Sequence, residues 1–200
     1  LAEKMPVINP SVIHQARVTL QQAIAHALNG FFAEQYAHNQ SDSGDYVYNS
    51  VAIAARAWRE LCLHYLLVAV DNQTAQALAA QQYQSAQHMT DRLVALRGLV
   101  SSGAEQATTC LADFYRRFRQ EALVIDSWFA VQATNSKATI EDIRALTEHE
   151  AFTLTNPNRL RSVLAQFANA NPVQFHHADG SGYRLKKKKI AELDIINPQI

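Results

Sequence analysis

NPSVIHQARVTLQQAIAHALNGF, residues Asn9–Phe31, is the stretch whose reading decides the fold. Val12, Ile13, Ala16, Leu20, Ile24, Ala27, Leu28 and Phe31 recur at intervals of three and four, the spacing that lines up side chains along one face of an α-helix. Asn9 stands where a capping side chain is needed, and Pro10 follows at the first helical position, where its missing N–H is no loss. Asn29 and Gly30 mark a join to a second, shorter helix.

The same pattern extends outward. The polar stretch Asn39–Asp45 predicts the first real loop. Val51, Ala55, Trp58, Cys62, Tyr65 and Ala69 then stripe a third helix, and Asp71 with Asn72 would cap a fourth. Further helices are expected over Met89–Val100, Ala104–Phe118, Leu123–Ala133 and Ile140–Leu146, with two more opened by Asn156-Pro157 and Asn171-Pro172. Six glycines and five prolines in 200 residues are about half the ordinary share of roughly 12%. That scarcity argues against sandwiches, barrels and glycine-dependent nucleotide folds. The expectation is an all-α chain, a single domain over 1–200, in which helix pairs stack as an irregular α-solenoid of armadillo or HEAT type.

Lys plus Arg and Asp plus Glu number 18 each, so no net field favours nucleic acid or an anionic membrane. Apolar runs such as Leu66–Val70 are too short to span a bilayer. Cys62 and Cys110 lie in apolar stretches without CxxC spacing and read as free thiols of a reducing, cytoplasmic compartment. Leu1 is not an initiator Met, so the chain reads as a fragment or processed piece of a longer protein.

His149-Glu150-Ala151-Phe152-Thr153 comes nearest to a metal motif, matching HExxH except that Thr stands at the second ligand. Two imidazoles on one helical face are required there. The segment is therefore expected to be an exposed polar helix end, and the chain to hold no metal. His176 and His177 are adjacent and should diverge. Asp179-Gly180-Ser181-Gly182-Tyr183 lacks the strand and Lys-Ser ending of a phosphate loop and reads as a turn that ends one helix and caps the next. Lys186–Lys189 reads as a solvated face, although four successive helical residues point around the whole circumference and one should turn toward a core. No nucleophile has an evident base beside it.

Arg159 and Arg161 fall in the first turns of the helix opened by Asn156-Pro157, where the dipole disfavours cations. Something anionic should offset them. Two readings stay open: an internal carboxylate, from Glu148, Glu150 or Asp179, or a peptide carboxylate or partner-domain acid.

YRRFRQEALVIDSWFAVQAT (Tyr115–Thr134) followed by FTLTNPNRLRSVLAQFANANPVQFHHADGSGY (Phe152–Tyr183) resembles the C-terminal helical domain of the aminopeptidase N family, zinc aminopeptidases of proteobacterial type. ARAWRELCLHYL (Ala55–Leu66), HMTDRLVALRGLV (His88–Val100) and the closing NPQI (Asn197–Ile200) add to it, so the likeness covers nearly the whole chain. LKKKK at Leu185–Lys189 departs from it, standing where the family continues with aromatic and apolar residues. The resemblance implies an armadillo-like solenoid packed over a thermolysin-like catalytic domain, enclosing the chamber and gating peptide access. It implies that the zinc ligands (HExxH and a downstream Glu) and the GxMEN segment lie in that other domain. This chain would then carry no catalytic residue, no cofactor and no activity alone, while the parent binds Zn and removes N-terminal residues from peptides. By match to family positions facing the chamber, Arg161 and Gln199 would reach substrate. The rival expectation is a freestanding α-solenoid scaffold that binds another protein along a groove.

Overall fold

Asn9, Asn49, Thr139, Asn156 and Asn171 each settle orphan N–H groups in the first turn of a helix, whereas Leu28, Asn72, His88 and Glu121 stand at helix starts without a side-chain cap bond. In the computed structural model, which describes residues 2–39, 48–69 and 72–196, Asn9 Oδ1 accepts the Val12 N–H at 3.2 Å and α1 runs over Pro10–Ala27. α2 follows at Asn29–His38, at the predicted join. Most of the expected loop after Asn39, Asp71 of the expected cap, and Gln199 lie outside the described residues. All regular elements among the described residues are helical, with no strand. The chain forms two compact units, Gln15–Cys110 and Leu1–His14 with Leu111–Ile200.

In the unit Gln15–Cys110, α3 (Ser50–Val68) starts behind Asn49, whose Oδ1 accepts from Ala52 N at 2.7 Å. It packs on α2, with the Phe32 and Tyr65 rings stacked at 4.7 Å. α4 (Gln73–Ser85) packs on α5 (Met89–Ser102), burying Ala75, Ala79 and Tyr83 along with Ala95, Leu96 and Leu99. One polar thread runs through this packing. Tyr36 donates to Gln82 Oε1 at 2.7 Å, and Gln82 Nε2 donates to the Asp91 carbonyl at 2.9 Å. Burial raises the Tyr36 hydroxyl above its ordinary pKa. α5 extends through Ser101 and Ser102 and stops at Gly103, whose φ of 76° closes the helix in the left-handed conformation. Cys62 and Cys110 are buried and not joined in a disulfide.

α6 (Gln106–Phe118) leads into the second unit and ends in its sequence range. There α7 (Ala122–Ala133) is the hub: Ile125, Trp128, Phe129, Val131 and Ala133 are buried, and it packs against α8 (Ile140–Glu148), α9 (Pro157–Leu160) and α10 (Gln166–Ala170). Thr139 and Asp142 form a reciprocal capping box at the start of α8. α9 and α10 are one continuous helical run joined by a π-helical turn, Arg161–Ala165. Asn171, fully buried, caps α11 (Pro172–Phe175) and donates its Nδ2 to the Asn135 carbonyl at 2.8 Å. The Asp179–Tyr183 turn behaves as read. Gly180 takes φ 72°, Asp179 Oδ1 accepts from Ser181 N at 2.8 Å, and α12 (Ser181–Ile196) begins. Gly182 has a separate reason: a Cβ there would lie 2.4 Å from the Phe175 carbonyl oxygen. α12 packs on α11 and α8.

Candidate functional site

Asn156 Oδ1 accepts the N–H groups of Asn158 and Arg159 at 3.0 and 3.3 Å, and Pro157 fills the first helical position. This cap leaves two arginines at the start of a helical run, as the sequence required, and the structure treats them oppositely. Arg159 turns inward, its side chain only 7% exposed. Its Nε donates to Asp126 Oδ1 on α7 at 2.5 Å, one Nη to the Ala151 carbonyl and the other to the Ala122 carbonyl at 3.1 Å. The guanidinium also lies over the Phe129 ring, 5.1 Å from its centre. The internal acid is therefore Asp126, and none of Glu148, Glu150 and Asp179. Glu150 instead accepts from the Tyr115 hydroxyl at 2.9 Å, and Asp179 is taken by Ser181 and His177. Burial first, then the bond to Glu150, raises the Tyr115 pKa.

Arg161 opens the π-helical turn and points to solvent. Among the described residues its guanidinium has no hydrogen-bond or ion-pair partner. π-helical turns gather at functional sites because the extra residue re-aims the side chains that follow. The Arg159 clamp fixes the start of this run against α7, so Arg161 projects from a rigid support. Gln199, the other residue expected to reach substrate, lies outside the described residues.

His149 corrects another expectation. It is no exposed polar end: as the residue that ends α8, it is half-buried against Tyr115, Trp128 and Phe129, with ring centres 4.9, 5.1 and 5.7 Å away. Its Nδ1 accepts the Ala151 N–H at 3.1 Å, and the Thr153 hydroxyl is bonded to that of Thr155 at 2.8 Å. These residues do not fit zinc, and among the described residues no three His, Cys, Asp or Glu side chains come together as a ligand set. His176 and His177 diverge as read, to the Tyr183 hydroxyl and to Asp179 at 3.0 Å.

Both the helical architecture and the sequence place the chain in one class. It belongs to the family described as a domain of unknown function (DUF3458_C) with ARM repeats, whose model matches residues 1–200, and the all-α solenoid reading holds. Within that class it corresponds to the C-terminal helical domain of aminopeptidase N homologues. It is 37% identical over 200 residues to aminopeptidase N of Haemophilus influenzae, covering 100% of this chain and 22% of that protein. It is 33% identical over 201 residues to aminopeptidase N of Escherichia coli, covering 100% of this chain and 23% of the relative. A crystal structure of Legionella pneumophila aminopeptidase A in complex with aspartic acid matches with a TM-score of 0.84 and 29% identity, over 98% of this chain and 24% of that one. The chain thus spans less than a quarter of the length of these relatives. Among the described residues no helix is long and apolar enough to cross a membrane.

Proposed function

We propose that this chain is the chamber-enclosing, access-controlling domain of a zinc-dependent aminopeptidase that removes N-terminal residues from peptides. Residues 1–200 act as one domain in this reading, partnered by a thermolysin-like catalytic domain that holds the zinc and the reacting groups. This chain supplies enclosure and a positive charge on the chamber wall, and Gln199 adds a second polar contact. Cys62 and Cys110, buried and not joined in a disulfide, accord with a cytoplasmic setting.

One observation carries the substrate-facing part. Of the two arginines at the start of the Asn156-Pro157 run, Arg159 is fully engaged within the domain, and Arg161 is presented outward without a partner among the described residues. A carboxylate of a bound peptide suits its planar fork. In the full-length enzyme, Arg161→Ala should raise peptide KM or change residue preference several-fold, with little change in melting temperature. An unchanged substrate profile together with a large loss of stability would reject the assignment. The scaffold alternative has its own test in the reading frame upstream of Leu1: HExxH and GxMEN there support the peptidase, and a start codon immediately before Leu1 removes it.

A further inference from the structure

The basic run of α12 has no part in the reading above. We propose that the cleft between α8 and α12 binds a small polyanion carrying three or more oxyanionic charges, an oligophosphate or a tricarboxylate.

Ser181, Arg184, Leu185, Lys188 and Lys189 stand at positions i, i+3, i+4, i+7 and i+8, so they occupy one face of α12, and that face lines a cleft against Arg144, Thr147 and Glu148 of α8. Two packed helices would ordinarily fill such a face with apolar side chains. Here only Leu185 is buried apolar packing. The cleft has a volume of about 350 Å³, at the small end of ligand sites. Four cations meet one acid in its wall.

The neighbouring acids do not neutralise them. Glu192 bonds Lys189 at 2.9 Å and reaches Lys188 only at 4.0 Å, so one carboxylate serves two ammonium groups. Arg184 donates to a backbone carbonyl, that of Asp179, at 2.6 Å. Arg144 has no hydrogen bond or ion pair from its guanidinium among the described residues, although Glu148 stands one turn further along α8. The Thr147 hydroxyl is already donated to the Arg144 carbonyl at 2.8 Å. The wall therefore offers forked and point-charge N–H donors along one cleft, a set that suits an oxyanion with several charges better than a single carboxylate. Lys189, with its side chain 15% exposed, holds its charge where water screens it least.

Isothermal titration of the full-length protein with tripolyphosphate and, separately, with citrate, at constant ionic strength near 0.15 M, tests this. At least one of the two should bind at a single site with Kd below about 1 mM, and the one that binds names the source of the charges. Lys188→Gln with Lys189→Gln, and independently Arg144→Gln, should each weaken that binding at least tenfold. The melting temperature of Arg144→Gln should be unchanged or higher, since its guanidinium has no ion pair to lose among the described residues, whereas the lysine pair also gives up its contacts with Glu192. Failure of both ligands to bind, or binding that the variants leave unaltered, overturns the proposal.

Discussion

Two helix starts in the Leu111–Ile200 unit pose the same electrostatic problem and resolve it differently. At Asn156-Pro157 a cation falls in the first turn and is drawn inside, where Asp126, two backbone carbonyls and the Phe129 face enclose it. After Asp179-Gly180 a run of cations begins one turn in. Lys188 is 73% exposed, Lys189 shares Glu192 with it, and Lys186 sits 5.5 Å from the centre of the Phe175 ring. A buried charge must have a close partner because desolvation is costly, so Asp126 serves Arg159 and Glu192 sits closest to the largely buried Lys189, while the exposed Lys188 is left to water. The first start is locked and serves as a support. The second stays open to a mobile counter-charge.

The sharpest way to break this contrast is at Asp126. Asp126→Ala leaves the Arg159 guanidinium buried without its acid, and chemical denaturation should show a loss of about 3–5 kcal/mol. Replacing both partners with apolar residues, Asp126→Leu with Arg159→Met, should recover much of it. If the single substitution is nearly neutral, Arg159 is not locked. Gly182→Ala acts on the second start, forcing a Cβ to within 2.4 Å of the Phe175 carbonyl. Because that neighbour is backbone, the expected loss is about 1–3 kcal/mol in the same assay. The smallest effect belongs to Asp179. The Ser181 N–H first, then the Ser181 hydroxyl and His177, hold its carboxyl well below the ordinary carboxylate range. A depressed pKa contributes stability that is present above the unfolded value, near pH 3.9, and is lost as pH falls through the folded one. Asp179→Asn should therefore lower the melting temperature slightly at pH 7 and flatten its decline on acidification below about pH 4. An unaltered acid limb would show that this exposed turn adds nothing to the start of α12.

The Asn-Pro starts and the glycine turn before α12 were legible as local chemistry, since a cap bonds N–H groups two or three residues away. The demand of Arg159 for an acid was legible too, because the helix dipole poses it within one turn. The identity of that acid was not. The candidates lay close in sequence or in the glycine turn, while Asp126 lies 33 residues upstream and arrives through the packing of α7 on α9. His149 was misjudged for a related reason: its polarity suggested solvent, but Tyr115, Trp128 and Phe129 converge on it from α6 and α7. The run Lys186–Lys189 required that some lysine face inward, and only the seating of α12 against α8 selected Lys189.

By itself the sequence determined that this protein is all helix, where most helices begin and end, and which family its motifs resemble. Those properties depend on backbone preferences, caps and periodicity that act over a few residues. Tertiary structure decided which arginine is buried and which is presented, which lysine turns inward, and that α8 and α12 leave a charged cleft between them. Burial and pairing belong to two faces brought together from distant parts of the chain, and no single stretch carries both.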